Sequence, residues 1–222
     1  MTTFDFEDGK GPVPAQQHVN GGGWVADTAS VSPTAYVGPN ALVYGNARVS
    51  ANARIYGDAR IYGNARIYGD ARITDNARVS GTAWVSDNTR VFGDARVSDN
   101  ARVFGDARIY NNARIYGNTR IYDNAFVYGD ARIYGNTRVY GYAVIKDSNF
   151  PQIKRSDGYD FIAVPCSDGK TRVIAGCRYF TFEEAETHWK ETRGGTPLGD
   201  ETMLILKFLK KYVKMQDEQH VV

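Results

Sequence analysis

Between residues 23 and 148 the chain advances in steps of six, typified by Ala59-Arg-Ile-Tyr-Gly-Asn64 and Ala65-Arg-Ile-Tyr-Gly-Asp70, with no insertion or deletion across 21 steps. The third position is Val or Ile in all 21; the first is Ala in 17, with Thr at 89, 119 and 137 and Gly at 23. Arg takes the second position in 14 steps and an aromatic residue the fourth in 12. Small, Arg, aliphatic, aromatic therefore alternate inward and outward with the period of two that marks a half-buried strand. Gly-Asn or Gly-Asp closes many steps, residues that accept left-handed backbone angles and turn a corner at little cost. A short strand and a two-residue corner, repeated without slippage, wind into a coil. One step cannot bury its own Val or Ile. Stacked coils bury them on one another in a continuous core, each contributing about 1.5–3 kcal/mol.

The repeat resembles the hexapeptide repeat of left-handed parallel β-helices. The resemblance implies three steps per coil, hence seven coils of 18 residues over 23–148, and a left-handed winding that the periodicity itself does not supply. The corner residues offer an internal check. Taken 18 apart, the last position of the step reads Asn40, Asp58, Asn76, Asp94, Asn112, Asp130 along one edge and Asn52, Asp70, Asn88, Asp106, Asn124 along the next. The third edge reads Asn46, Asn64, Thr82, Asn100, Asn118, Asn136 and has no carboxylate. Carboxylates stacked about 4.8 Å apart repel by about 1 kcal/mol even in a water-like dielectric, which gives the alternation a physical reason. The expected fold class is mainly β: a left-handed parallel β-helix of about seven triangular coils, followed by a small α+β (ββαα) module.

The flanks differ in composition. Residues 1–22, with Gly, Pro and Gln, read as a leader that covers the first coil, because open β-helix ends expose strand edges. Residues 149–222 form the second module. Strands are expected at 159–166 and 171–180, joined by a hairpin turn at Asp168-Gly169 whose paired positions sum to 337. That register holds Cys166 and Cys177 apart, and two reduced cysteines fit a cytoplasmic protein. Thr181-Phe-Glu-Glu184 is a capping box opening a helix to about Thr192. A loop is expected over 193–200, then a helix over 201–215 with Leu204, Ile205, Phe208, Leu209, Tyr212 and Val213 on its buried stripe. The N-terminal residues lack the basic and apolar regions of a signal peptide, and no apolar run is long enough to span a bilayer.

Catalytic chemistry is hard to find. Enzymes of the hexapeptide class, chiefly acyltransferases, generally use a histidine and a loop pushed out of a coil. Here His18, His188 and His220 all lie outside the repeat, and no coil carries an insertion. A general base must reach its substrate with a group that titrates near neutrality, and the repeat has none. His188, beside Trp189, reads as a packing residue. No Cys/His spacing suggests zinc and no glycine-rich phosphate loop is present. The expectation is a non-enzymatic protein without metal or cofactor.

What the repeat displays is arginine and aromatic rings. Two Arg columns follow corners that carry Asp, and such neighbours are expected to neutralise them. The third column, Arg48, Arg66, Arg102, Arg120 and Arg138, follows the neutral Asn corner, where Asp99 is the main nearby exception. Trp84 interrupts the column, with Phe104, Tyr122 and Tyr140 alongside. Unpaired Arg beside exposed aromatics suits an acidic protein, nucleic acid or nucleotide. Phe126, replacing Arg on another side, is a second candidate contact. The same surfaces could join copies of the chain as a dimer or trimer, or build a self-assembling scaffold.

Gly21-Gly-Gly-Trp-Val-Ala-Asp-Thr-Ala, the Tyr-Gly-Asn-Ala-Arg repeats, Ala175-Gly-Cys-Arg-Tyr-Phe-Thr and Glu184-Ala-Glu-Thr-His-Trp189 are together similar to hexapeptide-repeat proteins encoded by phages and prophages. The resemblance implies a protein of the host bacterial cytoplasm that acts by binding, for instance as an inhibitor of a host defence system. It brings no catalytic residues with it.

Overall fold

The computed structural model describes residues 2–219. His220 lies outside them. Residues 23–148 form a three-sided prism in which each six-residue step supplies one short strand. Every strand pairs in parallel with the strand 18 residues on, as in Arg66↔Trp84, Trp84↔Arg102 and Arg102↔Arg120. The first face runs from Trp24–Ala26 to Arg132–Ile133, the second from Ser30–Val31 to Arg138–Val139, and the third from Tyr36–Val37 to Val144–Ile145. Seven coils result, with residues 18 apart in vertical register.

The interior is two kinds of column. The third-position aliphatics, such as Ile61, Val79, Val97 and Ile115, are fully buried, and the first-position alanines fill the angles between faces. Threonine replaces Ala at little expense where its hydroxyl turns back: Thr119 and Thr137 each donate to the carbonyl three residues earlier, at 2.7 Å. Corners are ladders. Asn88 donates to Asp106 at 3.1 Å, Asn112 to Asp130 at 3.1 Å, and Asn100 to Asn118 to Asn136 at 3.2 Å each. The alternation of Asn and Asp is thus donor under acceptor as well as avoided repulsion.

Steric pairing governs the fifth position too. Gly57 has φ +64, and a Cβ there would lie 2.7 Å from the backbone nitrogen of Asp75 in the next coil. Asp75, itself at φ +58, lies in turn under Gly93, whose N–H donates to its carboxylate at 2.8 Å.

Both ends of the prism are covered. The leader folds as Thr3–Phe4 and Val13–Gln17, which extend the first face antiparallel beyond Trp24–Ala26. Phe6 is buried against Tyr44, ring centroids 4.9 Å apart, and Glu7 pairs with Arg60 at 2.7 Å. At the far end an antiparallel sheet of four strands, Gln152–Lys154, Asp160–Pro165, Thr171–Ala175 and Arg178–Phe180, lies between the last coil and two helices, α1 (Phe182–Arg193) and α2 (Pro197–Gln219). Its alternation serves two cores. Ile162, Val164, Cys166 and Ile174 complete the prism core, while Phe161, Ala163, Val173 and Ala175 face the helices and Trp189.

The module departs from the sequence expectation in several ways. It has four strands, because Gln152–Lys154 adds to the sheet and a turn at Gly176 (φ +61) splits 171–180 in two. The hairpin pairs Pro165 with Thr171, a sum of 336, one less than expected. Cys166 N–H instead closes the turn on the Lys170 carbonyl. Both cysteines are free thiols, Cys166 buried and Cys177 exposed. The Thr181–Glu184 capping box is present. α2 begins four residues before 201, since the Thr196 hydroxyl accepts from Gly199 N–H at 3.1 Å and Pro197 fills the first helical position, where no N–H is needed. Leu204 and Phe208, expected inside, are exposed; Ile205 and Leu209 are buried as expected, joined by Thr202 and Leu206.

Candidate anion-binding face

The second face brings Arg48, Arg66, Trp84, Arg102, Arg120 and Arg138 into one column, the arginines exposed and Trp84 half-buried. Their position in each step makes them point outward, and strict vertical register holds them about 4.8 Å apart. Trp84 is clasped on both sides: the guanidinium of Arg66 lies 5.1 Å from its ring centroid and that of Arg102 lies 4.9 Å away. Each contact contributes about 0.5–1 kcal/mol at an exposed site and orders a side chain that otherwise wanders. Both guanidiniums are thereby held beside the ring.

Beside this stack runs a groove of about 360 Å³, lined by Asn64, Arg66, Thr82, Trp84, Asn100, Arg102, Asn118 and Arg120. No carboxylate lines it. The amides and the Thr82 hydroxyl are donors and acceptors of the corner ladder, with Thr82 bonded to Asn100. Their part in the groove was legible in principle, because each stands two residues before a column residue.

Other expected contacts fall elsewhere. Tyr140 is buried: its ring lies 5.8 Å from that of Tyr179 and its hydroxyl donates to the Arg178 carbonyl at 2.6 Å. It is the seat of the C-terminal sheet and is not available to a partner. Phe104 stacks on Tyr122 at 4.9 Å and Tyr122 on Tyr140 at 4.7 Å, so this ladder leads under the module rather than outward. Burial raises the pKa of both Tyr122 and Tyr140. Phe126, on the third face, is half-buried under Arg108, whose guanidinium sits 5.1 Å from the ring. His188 packs with Phe180 and Trp189, centroids 5.0 Å from each.

The expected neutralisation of the other two Arg columns also fails. Among the described residues Arg60, paired with Glu7, is the only prism arginine in an ion pair. Several corner carboxylates are taken by the ladders instead: Asp106 and Asp130 accept from asparagines, and Asp75, Asp87, Asp99 and Asp123 accept glycine N–H groups. What distinguishes the second face is that the last corner position carries no carboxylate, Asp99 one residue earlier being bonded to Gly117 N–H, together with the Trp84 clasp.

Stretches 41–57, 53–66, 59–73, 65–81, 95–108, 107–123 and 131–147 match the YdcK beta-solenoid repeat. The chain is a parallel β-solenoid repeat protein. All the matched stretches lie within the prism, and three of them, 53–66, 59–73 and 65–81, contain Arg66 of the clasp. No curated protein matches the chain significantly. Among the described residues no three of His, Cys, Asp and Glu converge as metal ligands do, and no helix is long and apolar enough to cross a membrane.

Proposed function

We propose that the solenoid is a binding protein that engages an anionic macromolecule along its second face, without catalysis. The observation that carries this reading is the Arg66–Trp84–Arg102 stack with Arg120, set beside a groove that no carboxylate lines. Two guanidiniums held beside one ring suit carboxylate or phosphate oxygens, which guanidinium groups bond bidentately. Ordering them before binding lowers the entropy lost on association. A host macromolecule is the anionic partner that the resemblance to phage-encoded proteins implies, with inhibition of a host system as its outcome. The covers at both ends of the prism weigh against end-to-end self-assembly.

The test compares two double variants of equal charge change. Arg102→Glu with Arg120→Glu alters the second face; Arg96→Glu with Arg114→Glu alters the first. Binding to polyglutamate and to a single-stranded oligonucleotide is measured across a salt series. The reading expects the second-face pair to lose binding at least about tenfold more than the first-face pair, with a shallower salt dependence. Equal losses would mean that net charge alone attracts polyanions, and the face would be abandoned.

A further inference from the structure

A second surface lies at the other end of the molecule. On α2, Leu204, Phe208 and Met215 are 69%, 52% and 49% exposed, an apolar line at helical spacing on the side away from the sheet. Lys207, Lys211 and Lys214 follow along one flank. Along that flank a shallow, open groove of about 730 Å³ is lined by Met203, Leu204, the three lysines, Lys210, Asp200, and Glu186 of α1. Lys210 is engaged by Glu183 and Glu186 at 3.3 and 3.5 Å. Lys214 lies near Glu218 at 3.9 Å, a loose exposed contact, and Lys207 and Lys211 pair with no carboxylate among the described residues.

We propose that this face docks an acidic amphipathic helix of a protein partner, whose apolar side covers Leu204, Phe208 and Met215 and whose carboxylates meet Lys207, Lys211 and Lys214. Charge complementarity selects the occupant. A second copy of α2 is a poor fit, because antiparallel pairing that aligns Leu204 with Met215 of the copy sets Phe208 against Lys211 of the copy. An anionic bilayer is a poor fit as well. The cations lie on one flank of the apolar line only, whereas a helix lying in a bilayer surface carries them across its whole polar face. A helix in a groove uses apolar anchors at this spacing, with flanking charges setting register.

The experiment uses the full chain and three probes: a synthetic leucine–glutamate amphipathic peptide, the same peptide with lysine for glutamate, and vesicles of phosphatidylserine with phosphatidylcholine. The glutamate peptide is expected to bind, more weakly as salt rises. Phe208→Ala and Lys207→Glu with Lys211→Glu should each weaken it about tenfold or more. These residues are exposed, so the thermal midpoint should stay unchanged. Preference for the lysine peptide, co-sedimentation with vesicles in place of peptide binding, or a chain that dimerises through α2 and becomes monomeric in Phe208→Ala would each overturn the proposal.

Discussion

The corner ladders make a quantitative claim that one pair of substitutions can test. Asn112 stands between Asp94 and Asp130 and donates to Asp130 at 3.1 Å. Asn112→Asp deletes that bond and stacks three carboxylates about 4.8 Å apart. In a water-like dielectric each adjacent pair repels by about 0.9 kcal/mol. Loss of the exposed hydrogen bond adds about 0.5–1 kcal/mol, for a total of about 2–3 kcal/mol. Asn118→Asp is the control. Its neighbours are Asn100 and Asn136, so the new carboxylate still accepts from Asn100, loses the bond donated to Asn136 and stacks on no carboxylate of its column; its effect should be the hydrogen-bond loss alone, about 0.5–1 kcal/mol.

The penalty in Asn112→Asp has a signature. Like-charged neighbours raise the folded pKa of the new carboxylate above its unfolded value of ~3.9, so the destabilisation is absent below that pH. It grows through the raised value and is complete above it. It should also shrink in ~1 M salt, where the Debye length of ~3 Å is shorter than the coil spacing. Denaturant unfolding of both variants and the unaltered chain, at pH 3 and pH 7 and in low and high salt, measures all of this. Equal effects at positions 112 and 118, or a penalty indifferent to pH and salt, would refute the ladder electrostatics.

Further outcomes follow from other sites. Gly57→Ala should cost more than about 2 kcal/mol, since left-handed strain is joined by a Cβ 2.7 Å from immovable backbone. Gly135→Ala, with φ +72 but open space, should cost about 1 kcal/mol; thermal midpoints that fail to separate the two would contradict the close approach. Asp157 is held down to about 2 by the Arg155 guanidinium and the Tyr159 N–H. The stability it lends the C-terminal module is present above the ordinary Asp range near 3.8 and lost as pH falls through about 2. Asp157→Asn should flatten that acid limb, followed by Trp189 fluorescence. Tyr140→Phe removes one hydrogen bond from the seat of the module and should destabilise it by about 1 kcal/mol, visible as faster proteolysis of 149–222 with the prism intact.

The prism was legible because its determinants are local and repeated. Ile61 and its equivalents, each an Ile or Val between a buried Ala and a corner, decide their own orientation, and the alternation from Asn40 to Asp130 reports the coil length without any knowledge of contacts. The module resisted for the opposite reason. Arg155 is a surface-type residue by composition, yet it is buried with its guanidinium 5.1 to 5.6 Å from the rings of Tyr159, Trp189 and Phe161 and bonded to Thr202. No spacing along the chain announces a contact between residues 155 and 202. Tyr140 looked like its exposed neighbours because only the docking of Arg178–Phe180 covers it. Leu204 and Phe208 belong to an apolar arc wider than the sheet can cover, and the sequence alone does not say which edge of that arc stays outside. Within the candidate face, the column was readable from the step, whereas the Trp84 clasp required side-chain geometry.

Vertical register makes the prism a spacer whose length and angle are independently adjustable. Duplicating a block of 18 residues would lift α2 away from the leader by about 4.8 Å with no rotation. Duplicating six would instead swing it by a third of a turn and set it over a different wall. The two proposed docking regions therefore hold a bearing that internal duplications can change only in whole increments, and a partner gripping both would sense a single added step as a change of direction.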